Sequence, residues 1–115
     1  MAYIDGFIIP VKDDAKAGFT DHATRLDKYF LDYGATRVVE GWADDVPEGK
    51  VTDFKRSVQA KDDETVAFSW VEWPDKATRD AAMKKMESNE AMMAEPMPFD
   101  GKRMIYGGFE MIVDL

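Results

Sequence analysis

The sequence predicts an α+β fold in which four strands and two helices follow one another in the order β-α-β-β-α-β. Four segments are rich in β-branched and aromatic residues, which favour strands. Two other segments repeat apolar residues every three or four positions, as amphipathic helices do. The 115 residues contain no linker, low-complexity tract or long repeat, so we expect a single domain over residues 1–115.

The first half of the chain predicts a strand, a helix and a second strand. Residues 3–11, YIDGFIIPV, have the composition of the first strand. Over residues 13–33 the apolar side chains follow a helical period, and Asp13 or Asp14 is expected as the N-cap. Residues 36–43, TRVVEGWA, predict the second strand.

The second half repeats this pattern after a long polar segment. Residues 65–73, TVAFSWVEW, predict the third strand, and Asp75 opens a second helix over 74–88. The last strand is expected over 103–113. The segment 44–64 is compatible with either an extra short strand or a helical turn.

This order of elements is the ferredoxin-like plan. Right-handed crossovers then give an antiparallel sheet with the first strand between the third and the fourth, and both helices on one face.

Charge and composition exclude several classes of function. The chain has 15 Lys and Arg and 23 Asp and Glu, which gives a formal net charge of −8. We therefore expect it to bind neither nucleic acid nor an anionic membrane surface. The chain has no cysteine, which excludes disulfides and thiolate sites and fits the cytoplasm. No segment has the length and hydropathy of a membrane helix or export signal.

The predicted strands are apolar on both faces. In the first strand Tyr3 and Phe7 occupy one parity, and Ile4 and Ile8 occupy the other. Two helices cover one face only, so the second face needs another cover. We expect a homodimer; the alternative is that segment 44–64 folds over the sheet.

Each strand also carries one acidic residue beside aromatic or small neighbours of the same parity. The residues assigned to this surface are Asp5, Glu40, Trp42, Trp70, Glu72, Tyr106, Gly108 and Glu110. We expect it to line a cavity between the sheet and the partner. Burial there would raise carboxylate pKa values and prepare Glu40, Glu72 or Glu110 for general acid–base catalysis. In the alternative, these acids are structural and form ion pairs.

Arg103 or Arg37 is the expected contact for an anionic group of the ligand. Two adjacent glycines interrupt the last strand, and we expect Gly107 to face a helix and Gly108 to leave room in the cavity. The alternative is a β-bulge that redirects Glu110. His22, the only histidine, is expected to be structural. No metal or cofactor is predicted.

Four stretches together resemble the YbaA-like family of small bacterial proteins of unknown function: YIDGFIIPV, GATRVVEGWADDVPEGKVTDF, VAFSWVEWP and MPFDGKRMIYGGFEMIVD. The resemblance covers nearly the whole chain. It implies the dimeric α/β-barrel variety of the ferredoxin-like fold and brings no activity with it.

We therefore predict a small homodimer that binds or converts a small organic molecule in a cavity beside the sheet. The alternative is a non-catalytic ligand-sensing or interaction dimer. Whether the protein is an enzyme stays open at this point.

Overall fold

A computed structural model describes residues 1–115 as one four-stranded sheet with helices. The strands are β1 (Tyr3–Lys12), β2 (Arg37–Trp42), β3 (Glu64–Trp73) and β4 (Ile105–Glu110), and the helices are α1 (Lys16–Asp32), α2 (Phe54–Ser57), α3 (Lys76–Glu87) and α4 (Glu90–Met93).

The strand order is β2-β3-β1-β4, and all neighbouring strands are antiparallel. The predicted ferredoxin-like fold is confirmed, with β1 between β3 and β4. The face covered by α1 and α3, which carries Tyr3, Ile9 and Val71, is called the helix face. The opposite face, which carries Ile4 and Ile8, is called the open face.

The two long helices begin differently. The Asp75 carboxylate accepts the backbone N–H of Thr78 at 2.7 Å, so Asp75 is the N-cap of α3, as its position predicts. The prediction for α1 is wrong, because its N-cap is Ala15, which has no side-chain cap. Asp13 and Asp14 lie in the preceding turn, where they are exposed.

The polar segment 44–64 forms the helical turn α2, one of the two alternatives for it. The Asp53 carboxylate accepts the backbone N–H of Arg56 at 2.8 Å and caps this turn. Phe54 then packs edge-on against Phe68 with ring centroids 5.9 Å apart. Segment 44–64 therefore covers one end of the open face and leaves the rest exposed.

The last strand is shorter than predicted and ends at Glu110, opposite Tyr3. The paired part of β4 stops there because β1 begins at Tyr3. Beyond it, one hydrogen bond remains, from the Met111 N–H to the Ala2 carbonyl at 3.2 Å.

The core lies on the helix face in two clusters. One cluster surrounds Trp73 and Ala82 beneath α3, and the other surrounds Val11 and Phe19 beneath α1. Phe7 is partly buried and packs against both clusters.

Candidate functional site

Strand register divides the sequence-predicted site residues between the two faces. Residues paired across antiparallel strands lie on the same face. The helix face carries Asp5, Glu40, Trp42, Tyr106, Gly108 and Glu110, and the open face carries Trp70 and Glu72. The expectation that all four strand acids share one surface is wrong. Register is the reason, because a shift by one residue exchanges the faces of a whole strand.

The open-face acid Glu72 lies among polar partners. The indole N–H of Trp70 donates to its carboxylate at 2.8 Å, and the guanidinium of Arg37 lies 3.9 Å away. Arg37 is thus close to Glu72, as the structural alternative for the strand acids expects.

Asp5 forms a buried ion pair. Its carboxylate accepts two hydrogen bonds from Arg79, at 2.8 and 3.1 Å, and one from the Trp73 indole at 2.9 Å. Arg79 also lies over the ring of Tyr3, 5.3 Å from its centroid. These contacts join β1, β3 and α3. Glu110, the last residue of β4, is exposed.

Arg103 is likewise engaged within the chain. It makes a bidentate contact of 2.7 and 2.8 Å with the buried Glu64, and it donates to the Asp100 carboxylate and the Gln59 carbonyl, each at 2.9 Å. Glu64 and Asp100 therefore neutralise the guanidinium expected to hold an anionic ligand.

The prediction for the two glycines of β4 is wrong, because each lies on the face that was expected for the other. Gly107 lies on the open face, opposite Gly6. Gly108 lies on the helix face, where an added Cβ would be 2.8 Å from ring carbon Cε2 of Tyr3. Gly108 thus makes room for a core side chain, while the neighbouring Tyr106 is exposed and stacks on Phe7.

A cavity of about 130 Å³ lies between the helix face, α1 and segment 88–104. Most of its lining is apolar, and its large side chains include Phe7, Phe19, Leu26, Phe30, Phe99 and Met104. Segment 88–104 is held against α1 by Asn89, whose amide donates to the Tyr33 hydroxyl at 2.8 Å, and by the Glu95–Arg25 ion pair at 3.4 Å. The chain's own α1 and segment 88–104 therefore form walls of this site, where the sequence analysis expected a partner.

One predicted acid, Glu40, reaches this cavity. Glu40 lies opposite Ser69 in the neighbouring strand, and Asp27 of α1 and Ser69 are the side chains close enough to its carboxyl to shift its pKa. Asp27 and Glu40, called the carboxyl pair below, both line the cavity. Two carboxyl groups in contact near neutral pH share a proton, because both cannot ionise at low cost.

The local environment places that proton on Glu40. Burial, and then the hydrogen bond and negative charge of Asp27, raise the pKa of Glu40 from 4.5 to about 8. Burial also raises the pKa of Asp27, but the hydrogen bond from Glu40 opposes that rise. The carboxyl pair thus offers an O–H donor and a carboxylate acceptor side by side, which are the groups that acid–base chemistry needs.

The carboxyl pair also borders a second space. A cleft of about 170 Å³ on the side of β2 is lined by Thr20, Thr24 and Trp42, among others, and shares Asp27 and Glu40 with the cavity. Glu40 is exposed on this side. The pair can therefore exchange protons with solvent through the cleft while it faces the cavity.

His22 also lines the cavity, together with Ser69 and the carboxyl pair. Its imidazole packs edge-on against Phe99, with centroids 5.9 Å apart. Burial, and then the positive charge of Arg25, lower the pKa of His22, so its ring is neutral at pH 7.

Sequence reasoning missed Asp27 and Ser69 and gave His22 no role in a site. A signal for Asp27 existed, since it lies on the α1 stripe formed by Phe19, Ala23 and Phe30, where a carboxylate is out of place. Nothing in the sequence paired it with Glu40.

The fold and the full chain have known relatives. The chain is 53% identical to the uncharacterized protein YbaA of Escherichia coli strain K12 over 99% of both chains, and equally to YbaA of Shigella flexneri. A dimeric ferredoxin-like protein from an uncultured marine organism matches all of both chains at a TM-score of 0.60 and 10% identity. SnoaB, a cofactor-independent oxygenase from Streptomyces nogalater, matches 98% of this chain and 96% of its own at a TM-score of 0.53 and 14% identity.

These structural likenesses show the ferredoxin-like fold. None of the helices has the length and apolar character needed to span a membrane. The model of the family DUF1428, a protein of unknown function, matches residues 2–101. Together with the YbaA relatives, this match confirms the resemblance seen in the sequence, and the chain belongs to the DUF1428 family.

Proposed function

We propose that this protein binds a small, largely apolar organic molecule in the cavity between α1 and the sheet, and that the carboxyl pair exchanges a proton with it. The observation that carries the proposal is the presence of Asp27 and Glu40, whose pKa values are both raised, in a mostly apolar cavity. Sites that combine apolar walls, few polar groups and perturbed pKa values are the best candidates for binding and catalysis.

Cavity size limits the ligand. A cavity of about 150 Å³ accommodates benzene in a protein interior, and this one measures about 130 Å³. The part of a molecule that lies inside the cavity without rearrangement is therefore about one ring in size.

Of the strand acids that the sequence analysis offered for catalysis, the proposal keeps only one. Glu40 is retained as the proposed general acid or base, with Asp27 as its partner. Asp5 and Glu72 have polar partners of their own, which favours structural roles for both and is consistent with the non-catalytic alternative. Glu110 and Arg103 are given no contact with the ligand in this proposal.

A cavity-filling variant tests binding. Ala23 is buried and lines the cavity, so Ala23→Met should fill it, whereas Ala17→Met adds the same side chain at an exposed position of α1. We expect 4-methylphenol to shift the amide NMR signals of cavity residues in the wild type and in Ala17→Met, but not in folded Ala23→Met. Equal shifts in all three proteins would contradict the proposal.

Proton exchange is tested separately with Glu40→Gln. This variant keeps the shape of the side chain and removes its acid. We expect it to bind 4-methylphenol and to lose any turnover that a metabolite panel detects with the wild type. Turnover that survives in Glu40→Gln would remove Glu40 as the acid or base and leave binding intact.

We further propose that a second copy of the chain covers the open face in a cytoplasmic homodimer. Phe68, Ile105 and Phe109 are exposed there around an apolar groove of about 420 Å³. Apolar patches of this kind are typical of interfaces, and the marine ferredoxin-like relative is described as dimeric. The absence of cysteine fits a cytoplasmic location.

A further inference from the structure

The carboxyl pair lies between two spaces that differ in character. The cavity on one side has mostly apolar walls, whereas the cleft on the other side is lined by the hydroxyl side chains of Thr20 and Thr24 and by Trp42. Asp27 and Glu40 border both spaces. A molecule that reaches the carboxyl pair can therefore place an apolar part in the cavity and a polar part at the cleft.

The hydroxyl groups of the cleft are already used as donors. The Thr20 hydroxyl donates to the Lys16 carbonyl and the Thr24 hydroxyl donates to the Thr20 carbonyl, each at 2.7 Å. Both hydroxyl oxygens keep lone pairs that can accept a hydrogen bond, and the Asp27 carboxylate is an acceptor as well. A polar group that fits these side chains therefore has to donate hydrogen bonds.

No positively charged side chain balances the carboxyl pair in either space. No lysine or arginine lines the cavity or the cleft, none contributes to the pKa shift of either carboxyl, and His22 is neutral at pH 7 because its pKa is lowered. A cationic ligand group would supply the missing charge, whereas an anion would meet the carboxyl pair without compensation. Trp42 adds an indole ring at the cleft, a type of surface that attracts cations.

We propose that the ligand is a primary amine with a body about one ring in size, whose ring lies in the cavity and whose ammonium group lies between Asp27 and Glu40 at the cleft. An ammonium group has three N–H donors, which is one for each carboxyl and one for a threonine hydroxyl. This inference rests on the proposed function, because it assigns a ligand class to the same cavity. An amine that enters uncharged takes the proton of Glu40, so the exchange leaves an ammonium group beside two carboxylates and needs no further reactant.

Two probes of nearly equal shape separate the contribution of the charge from that of the cavity. Benzylamine carries an ammonium group at pH 7, and benzyl alcohol carries a neutral hydroxyl at the same place. The ratio of their dissociation constants is measured by NMR titration at constant ionic strength for the wild type, Asp27→Asn and Asp21→Asn. Asp21 is exposed on α1 and lines neither space, so Asp21→Asn removes the same charge outside the site.

We expect the wild type to bind benzylamine more tightly than benzyl alcohol. Asp27→Asn should reduce this preference by about three- to tenfold, as the loss of one partly exposed ion pair predicts, and Asp21→Asn should keep it. In the wild type, a ¹³C titration of the Glu40 carboxyl should give a lower pKa with benzylamine bound than with benzyl alcohol bound, because a nearby cation favours the carboxylate. That measurement does not depend on any variant folding.

An equal ratio in Asp27→Asn and the wild type, or the same pKa of Glu40 with either probe bound, would overturn the amine. Binding of benzyl alcohol in the same titrations would then still support the cavity as a binding site. Methylammonium has the charge without the ring and should compete poorly with benzylamine; equal competition would overturn the ring in the cavity. Failure of both benzylamine and benzyl alcohol to bind the wild type at millimolar concentration would overturn the ligand class and the proposed function together.

Discussion

Glu40 is the residue whose chemistry depends most on its surroundings in the fold. Its local sequence, VVEGW, gives no reason for an unusual pKa. The helix α1 brings Asp27 to it, and cross-strand pairing brings Ser69. Its raised pKa therefore originates from tertiary contacts.

The first prediction concerns the pH dependence of stability. Since the pKa of Glu40 rises from 4.5 to about 8 on folding, the folded chain binds more protons than the unfolded chain between these values. The free energy of unfolding therefore falls as pH rises through this range. Glu40→Gln should remove this loss of stability and stabilise the protein at pH 9 with little effect at pH 4. Because Glu40 is exposed and solvent screens its charge, the gain at pH 9 should be no more than on the order of 1 kcal/mol.

Urea unfolding of the wild type and Glu40→Gln at pH 4, 7 and 9 measures this difference. Glu87→Gln, at an exposed position of α3, is the matched control and should follow the wild type. If the free energy of unfolding changes with pH by the same amount in Glu40→Gln and the wild type, the pKa of Glu40 is not raised in the folded protein.

The second prediction separates the two glycines of β4. Gly108→Ala should destabilise the protein by about 1–3 kcal/mol, because the new methyl group overlaps the buried ring of Tyr3. At Gly107 a Cβ would meet only the ring of Phe109, at 3.5 Å. Gly107→Ala should therefore be neutral or slightly stabilising. Thermal unfolding of both variants checks this, and a more harmful Gly107→Ala would contradict the assigned faces.

At the scale of elements, segment 88–104 forms one wall of the cavity although only four of its residues form a helix, α4. It supplies Phe99 and Met104 to the lining. Arg103, between these two residues, fixes the segment to Glu64 at the start of β3. This anchor makes the cavity wall a defined part of the fold.

The third prediction tests that anchor. Arg103→Gln leaves the buried Glu64 carboxylate without its ion-pair partner, so Tm should fall by several degrees, and adding Glu64→Gln should restore part of the loss. Arg103 holds the pKa of Glu64 at about 2, below its usual 4.5. The stability from this pair is thus present above about pH 4.5 and lost as pH falls toward 2.

Thermal unfolding of the single and double variants at pH 7, with wild type and Arg103→Gln compared again at pH 3, gives the readout. The difference between wild type and Arg103→Gln should shrink at pH 3. If the variant with both Arg103→Gln and Glu64→Gln is less stable than Arg103→Gln alone, the unpaired Glu64 carboxylate is not the cause of the fall in Tm.

At the scale of the whole molecule, the proposed dimer rests on the exposed apolar side chains of the open face. Phe109 is 60% exposed on that face, and Leu31 is 49% exposed on α1. If two copies pair through their open faces, Phe109→Glu buries a charge in the interface and should dissociate the dimer, whereas Leu31→Glu should not.

Sedimentation at micromolar concentration measures this fourth prediction. The wild type and Leu31→Glu should have a mass of about 26 kDa, twice the 13.0 kDa of the chain, and Phe109→Glu should approach the monomer mass with its circular dichroism unchanged. A monomeric wild type would overturn the dimer.

The elements were predictable from local patterns because each depends on a few neighbouring residues. Strand composition predicted β1 and β3 to within one residue at each end, and Asp75 marked the start of α3. The first turn of α1 was misplaced because Asp13 and Asp14 have the composition of a cap, yet the backbone turns before the helix begins.

The sequence by itself determined the order of the elements, the strand topology and the excess of apolar surface, since composition and period report on these directly. Only the tertiary structure decided which acids meet. Strand register sent Glu72 to the open face and Glu40 to the helix face, and α1 set Asp27 and His22 around the cavity. Register and helix docking depend on contacts between residues far apart in the chain, and such contacts leave no local pattern to read.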